Sequence, residues 1–337
     1  MGGPTGVWGP DETRAPAKSS SVNHMKAGGR GLALVVQNVR AKDRSGFLIS
    51  QYMPERAKQG FVALRAFNQE TVKVADTAND LAVGTLRLEF WKAAIQKVFS
   101  ESCSELDPVC QALHASLKSN GVHFHKKYLL TMVQTQQDRL RRVPLRSVES
   151  MEQYGEGVYS QMNYATLEML QTVWPAVKEY LVKNPDLDEM VTNICAHIGQ
   201  ANGIVALLRG TPFYAARHNY LNLPATLLQE QGISHQQVLD GLDAANLAAI
   251  PNLRDVVFTV ATRANDHLLT ANHLLREFSR ETATSIPYSV LLPAMTACSI
   301  KLYLEHLQGH DFDLLAPVRN EWKLPWRTWR AYRTKKL

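Results

Sequence analysis

The stretch from His197 to Pro224, HIGQANGIVALLRGTPFYAARHNYLNLP, constrains the fold more than any other part of the chain. Ile198, Ala201, Ile204, Val205 and Leu208 recur at helical spacing, so its first half reads as a helix with an apolar stripe. Gly199, Ala201 and Gly203 lie among them, and side chains that small let a second backbone approach closely. Such a helix is an interior helix and needs other helices around it. Arg209-Gly210-Thr211-Pro212 is expected to end it, because proline has no N–H for the ladder and its ring crowds the preceding turn.

Other segments follow the same period. Apolar residues recur every three or four positions over most of the chain, turn clusters separate the segments, and alternating strand patterns are scarce. The fold class expected is all-α, a single-domain helical bundle; with 337 residues and 45% apolar content the chain can bury one large core. No apolar run reaches the roughly 20 residues needed to span a bilayer. Four well-separated cysteines, Cys103, Cys110, Cys195 and Cys298, include no C-x-x-C pair and read as buried thiols of a reducing compartment.

Charge is concentrated at one end. Arg319 to Leu337 holds seven basic residues against Glu321, which accounts for the whole net charge of +6, and the preceding 318 residues balance at 30 basic and 30 acidic. At the other end, Thr13 to Lys42 has Arg14, Lys18, Lys26, Arg30, Arg40 and Lys42 with no acid. That composition fits a matrix-targeting presequence or a disordered N-terminal extension over residues 1–30.

In chain order, Leu32 to Tyr52 reads as a helix broken at Ser45-Gly46, and Met53-Pro54-Glu55 opens the next, whose core stripe is Phe61, Leu64, Phe67, Thr71 and Val74. Asp76 and Asp80 form a D-x-x-x-D that would share one helix face and bridge Mg²⁺ if the helix continued through both; Asn79 and the nearby Gly84 argue for a helix end instead. His123-Phe-His125 offers two imidazoles without further ligands at a recognised spacing, so it reads as a solvated loop before the helix Lys127 to Arg141. Val148 to Leu181 is long and periodic, with Tyr159, Gln161 and Asn163 at its centre. A capped helix begins at Ser234, and two long helices span about Asn252 to Thr282 and Ile286 to Gln308.

At Gly199, Ala201 and Arg209, followed by Arg217, Leu223 and Pro224, the chain resembles the second signature of the squalene/phytoene synthase superfamily. The metal-binding aspartates of that signature fall on Gly210 and Tyr214. Phe61 to Asp76 resembles the first signature: Ala66 and Phe67 match, Val72 and Lys73 stand at the paired aspartates, and Asp76 remains. A-L-R-A-F-N-x-E with a later L-R-x-x-F-W-K (Leu86 to Lys92) resembles one branch, the mitochondrial complex I assembly factor 6 group.

The resemblance implies an isoprenoid-synthase-like bundle over residues 31–318 with a central cavity, in which Arg65 to Asp80 faces Ile194 to Arg209. Phe67, Tyr159, Gln161, Asn163, Arg209 and Arg217 are its expected lining. It also implies a protein without a cofactor that helps build respiratory complex I at the matrix side of the inner mitochondrial membrane. Its partners would be complex I subunits or other assembly factors, with an isoprenoid or quinone as a candidate ligand of the old cavity. A prenyltransferase must draw diphosphate from an allylic substrate with carboxylate-held Mg²⁺, and Val72, Lys73, Gly210 and Tyr214 supply no carboxylate. A synthase working through Asp76 and Asp80 in a shifted register is the alternative.

No serine-elbow, phosphate-loop, dinucleotide or H-E-x-x-H motif supplies another chemistry, and no RNA module or basic face elsewhere supports nucleic-acid binding. In the tail, residues 319–337, Trp322, Trp326, Trp329 and Arg333 follow spacings of four, three and four. A helix entered at Pro325 would set Trp326 and Trp329 beside Arg327, Arg330, Arg333, Lys335 and Lys336, a composition suited to an anionic membrane surface. The competing expectation is that the tryptophans dock onto the domain.

Overall fold

The computed structural model describes residues 29–100, 107–318 and 320–337. The expected presequence lies almost wholly outside the described residues, as does Cys103. Helices account for the architecture, and no strand occurs among the described residues. In order they are α1 Gly29–Lys42, α2 Arg44–Ser50, α3 Glu55–Thr77, α4 Leu81–Val98, α5 Pro108–Lys118, α6 Lys127–Leu140, α7 Val148–Gly155, α8 Gln161–Val173, α9 Pro175–Lys183, α10 Pro185–His218, α11 Ala225–Glu230, α12 His235–Asp243, α13 Leu253–Glu281, α14 Tyr288–Ala294, α15 Ala297–Gly309 and α16 Leu324–Thr334. A π-helical turn, Glu156–Ser160, joins α7 to α8.

The small-sided helix is α10, and it is the axis of the bundle. The long α13 packs along it, α7 and the π turn cross it, and α3 packs against α1, α5 and α6 to complete the core. At the α7 crossing a Cβ on Gly203 would stand 2.2 Å from the Gly155 Cα, and one on Gly199 would meet the Ser160 backbone N at 2.3 Å. Only hydrogen fits there, so these glycines set the distance between the two helices.

Contrary to expectation, α10 does not stop before Pro212; it runs to His218 with the proline inside it. Thr211 Oγ1 and Asn222 Nδ2 both donate to the Leu207 carbonyl, at 3.0 and 3.1 Å, so side chains hydrogen-bond the backbone of the turn that the proline disturbs. The resulting 34-residue helix is long and apolar enough to cross a bilayer, but most of its apolar stretch is buried in the protein as core.

Other boundaries differ for local reasons. The first break falls at Asp43, not Ser45-Gly46, because the Asp43 carboxylate caps α2 by accepting from Gly46 N–H at 2.8 Å. Helix α3 ends at Thr77, and Asp80 is the N-cap of α4, accepting from Val83 N–H at 2.9 Å, so Asp76 and Asp80 do not share a helix face. The helix expected over 286–308 is two, α14 and α15, with Pro293 in the last turn of the first and Thr296 Oγ1 donating to the Pro293 carbonyl at 3.0 Å. Ser234 caps α12 in a full capping box.

Candidate functional site

The two signature segments meet, and they do so differently at their two ends. At one end Asp76, one residue from the C-terminus of α3, accepts a hydrogen bond from the hydroxyl of Tyr214 on α10. His218 Nε2 lies 2.8 Å from the Asp76 carbonyl oxygen, closing the same junction one turn later. Arg139 of α6 lies over the Tyr214 ring at 4.4 Å, with Nε 3.4 Å from the phenol oxygen. Its Nη2 donates to Asn222 Oδ1 at 2.9 Å, which orients the amide that holds Leu207.

Burial pushes the Asp76 carboxyl above the ordinary aspartate value, and the Tyr214 hydrogen bond with the Arg139 charge offsets part of that rise. Burial likewise raises the Tyr214 phenol, which stays protonated and donates. Val72 is half-buried, and Lys73 turns to solvent 3.5 Å from Glu70. A Cβ on Gly210 would lie 3.3 Å from Asn222 Nδ2, so that position is filled by a neighbour's amide. The donor chemistry of this end does not fit a carboxylate-held Mg²⁺ cluster: Asp76 is engaged by a phenol, and Val72, Lys73, Gly210 and Tyr214 offer no carboxylate.

At the other end the walls stand apart and enclose a cavity of about 290 Å³. Tyr159 and Arg209 line it as expected, together with Lys42, Arg44, Arg65 and Asn202. Arg65 donates to Asp43 at 2.5 Å, and this pair ties α3 to the start of α2. Burial lowers the Arg65 guanidinium and the Asp43 carboxylate more than restores it, so its net shift is upward. Arg209 lies over the Tyr303 ring at 4.8 Å. Asn68 Oδ1 and Gln69 Nε2, from two other lining residues, are buried without a hydrogen-bond partner. Basic side chains outnumber the single acid, Asp43, so the cavity suits an anion.

The remaining expected lining residues lie elsewhere. Phe67 is in the core, edge-on to Trp91 at 5.5 Å. Asn163 is buried and donates to the Cys195 carbonyl at 3.0 Å, fixing α8 to α10, and Gln161 donates to the Glu156 carbonyl across the π turn at 3.1 Å. Arg217 is exposed and lines a separate groove of about 510 Å³ with Arg142 and His218. Arg65, Asn68 and Gln69 were not anticipated as lining; they sit on the opposite face of the first-signature helix from the matched Phe67.

The tail is partly docked and partly free. Tyr332 stacks between Tyr52 and Tyr288 at 4.5 and 4.8 Å, and Leu324 and Ala331 pack on Cys298 and Leu302. Arg327 makes two hydrogen bonds to Glu305, and Lys335 donates to the Ile286 carbonyl at 2.7 Å, where burial brings its ammonium down to about 8. Trp322, Trp326 and Trp329 face outward, 72%, 56% and 50% exposed, with Arg330 over Trp326 at 5.5 Å.

A family model described as squalene/phytoene synthase matches residues 39–330. The chain belongs to the squalene/phytoene synthase family. Its curated relatives include the bovine and human proteins named NADH dehydrogenase (ubiquinone) complex I, assembly factor 6. The bovine protein is 28% identical, with 93% of this chain and 86% of the relative covered; the human one is 27% identical, with 83% and 74% covered. A homolog of that name from Drosophila melanogaster is 26% identical over 93% of this chain and 89% of its own. Among solved structures, a dehydrosqualene synthase superposes with a TM-score of 0.65 at 15% identity, covering 90% of this chain and 96% of that one. A squalene synthase from Alicyclobacillus acidocaldarius gives 0.63 at 12% identity, covering 84% and 95%. These structures establish the synthase fold, and the assembly-factor name is that of the relatives.

Proposed function

We propose that this chain is a non-catalytic assembly factor for mitochondrial respiratory complex I that works by binding at the matrix face of the inner membrane. One observation carries the non-catalytic part: Tyr214, at the place of a second-signature aspartate, donates to Asp76, the last first-signature carboxylate. Where a synthase draws a diphosphate into a metal cluster, these walls bond to each other. The names of the relatives support the assembly role. Complex I subunits or other assembly factors are then the partners. The test joins two measurements. Cells lacking the protein should lose assembled complex I and regain it with Asp76→Ala, and purified protein with prenyl diphosphates and Mg²⁺ should release no diphosphate. Turnover that disappears on replacing Asp76 or Asp80 would establish the prenyltransferase instead.

Membrane association rests on α16 and the residues flanking it in the tail. Trp322, Trp326 and Trp329 beside Arg330, Arg333 and Lys336 suit the headgroup layer, where each cation near the surface contributes about 1 kcal/mol. Arg327 and Lys335 are engaged within the protein, so they contribute less. Binding to cardiolipin-rich vesicles should be reversible and salt-sensitive, and should weaken when Arg330, Arg333 and Lys336 are neutralised together. Unchanged vesicle binding after deletion of residues 326–337 would remove the tail from this role.

A ligand in the remnant cavity is compatible with this function. Its basic lining and the unpaired Asn68 and Gln69 atoms favour a small anion or an anionic headgroup over a quinone ring or a long isoprenoid chain. The size agrees, because about 290 Å³ lies at the lower bound of the roughly 300–1,000 Å³ typical of ligand sites.

A further inference from the structure

The loop between α5 and α6 sets two histidine rings 5.3 Å apart. Residues 121–125 alternate in burial: Val122 and Phe124 are 2% and 0% exposed, while His123 and His125 face out. Extended backbone sends successive side chains to opposite sides, so the two apolar anchors force both imidazoles onto one face. Phe124 packs edge-on against Phe99 at 5.6 Å, and His123 N–H donates to Thr172 Oγ1 at 3.1 Å, which fixes the loop to α8.

The third ligand comes from α8. Glu168 sits one turn before Thr172, and its carboxylate is oriented by three donors: the Tyr128 hydroxyl at 2.6 Å, the His125 backbone N–H at 2.8 Å and the His125 ring Nδ1 at 2.8–2.9 Å. The ligand atoms of His123, His125 and Glu168 all lie within 4.8 Å of one another. Bonds of about 2.0–2.2 Å at tetrahedral angles need ligand atoms about 3.4 Å apart, a closure that rotation of the two exposed imidazoles would have to supply. Lys126 is drawn to Gln96 Oε1 at 3.1 Å, and Lys127 lies over the Tyr128 ring at 5.1 Å.

We propose that His123, His125 and Glu168 bind a divalent transition-metal ion of the zinc class, with water in the fourth position. Two imidazoles and one carboxylate are borderline donors suited to Zn²⁺, and Mg²⁺ or Ca²⁺ would require oxygen ligands. Tyr128 acts from behind the carboxylate as a positioning residue, its hydroxyl donating to Glu168 at 2.6 Å. The ion would staple the α5–α6 loop to α8.

The test uses the full chain without a polyhistidine tag. Zn²⁺ and Co²⁺ are titrated calorimetrically, Co²⁺ also by its visible tetrahedral absorption, and melting is followed with and without Zn²⁺. The expected result is one equivalent bound, a tetrahedral Co²⁺ spectrum and a higher melting temperature with Zn²⁺. His123→Ala, which keeps the loop's backbone hydrogen bonds, should abolish the spectrum and the thermal gain. Tyr128→Phe should weaken affinity about 10- to 100-fold. Glu168→Gln is read only if circular dichroism shows the wild-type helix content, and His123→Ala decides the matter if it does not. A wild type that binds no Zn²⁺, or binding of equal affinity and stoichiometry in His123→Ala/His125→Ala, would overturn the site.

Discussion

The closed junction at Asp76 and the open cavity at Arg65 are built from the same two helices, about three turns apart along α3. At the junction a phenol and a carboxylate meet directly, and Arg139 packs over the phenol. At the cavity a guanidinium is held back by an acid on a third segment, Asp43, and both walls line the pocket. The contrast is between one end closed by a direct side-chain contact and another that keeps a pocket. A tyrosine hydroxyl closes the first end, and at the second the arginines are anchored sideways, to Asp43 and Tyr303.

Removing the sideways anchor should give the largest effect. Arg65→Ala leaves Asp43 largely buried without its guanidinium, and breaking such a pair costs about 3–5 kcal/mol. Chemical denaturation should show a loss of that size. A loss below about 1 kcal/mol would mean that Asp43 is solvated and the cavity is not held open by this pair.

At the junction the corresponding change is smaller. Tyr214→Phe keeps the ring under Arg139 and removes the donor to Asp76, leaving a partly buried carboxylate one hydrogen bond short, which costs about 1–3 kcal/mol. If this variant proved more costly than Arg65→Ala, the junction and not the Asp43 pair would be the stronger tie between the walls.

Arg209→Gln should separate binding from stability. Arg209 is exposed on α10 and packs on Tyr303, so its loss should shift folding by less than about 1 kcal/mol. Stabilisation of the protein by inorganic pyrophosphate, read by thermal melting without Mg²⁺, should fall by several-fold in Arg209→Gln and persist in Tyr214→Phe. Equal stabilisation of both variants would place the anion outside the cavity.

Much of this was legible in the sequence. The α10 stripe, the small residues where Gly203 meets Gly155 and the Ser234 cap are all local patterns, and local patterns survive in one dimension. What was not legible depends on partners far along the chain. Pro212 reads as a helix end until Asn222 is seen donating to Leu207, and Asp80 reads as half of a D-x-x-x-D until α3 stops three residues before it. Glu168 lies 43 residues from His125, so nothing near the histidines announces it. Phe67 and Asn163 were expected at the cavity because their segments border it, yet Phe67 turns into the core and Asn163 is taken up by the Cys195 carbonyl.

The smallest effect belongs to Asp76→Asn, and its sign distinguishes the junction from an ordinary ion pair. Burial is the largest influence on Asp76 and raises its carboxyl above the ordinary 3.8, despite the Tyr214 bond and the Arg139 charge. Between the ordinary and the raised value the folded protein therefore holds a proton that the unfolded chain has released. Stability contributed by this group is greatest below that window and declines as pH rises through it. Asparagine has nearly the same shape, keeps an oxygen to accept from Tyr214 and carries no charge to bury. At neutral pH Asp76→Asn should match the wild type within about 1 kcal/mol, the scale of one net hydrogen bond. On acidification from neutrality to below pH 4, wild-type stability should improve relative to the variant. The opposite trend, with the wild type losing ground to Asp76→Asn as pH falls, would show that Arg139 and His218 hold Asp76 as a stabilised anion. The junction would then be an ion pair, and the difference between the two ends would be one of geometry alone.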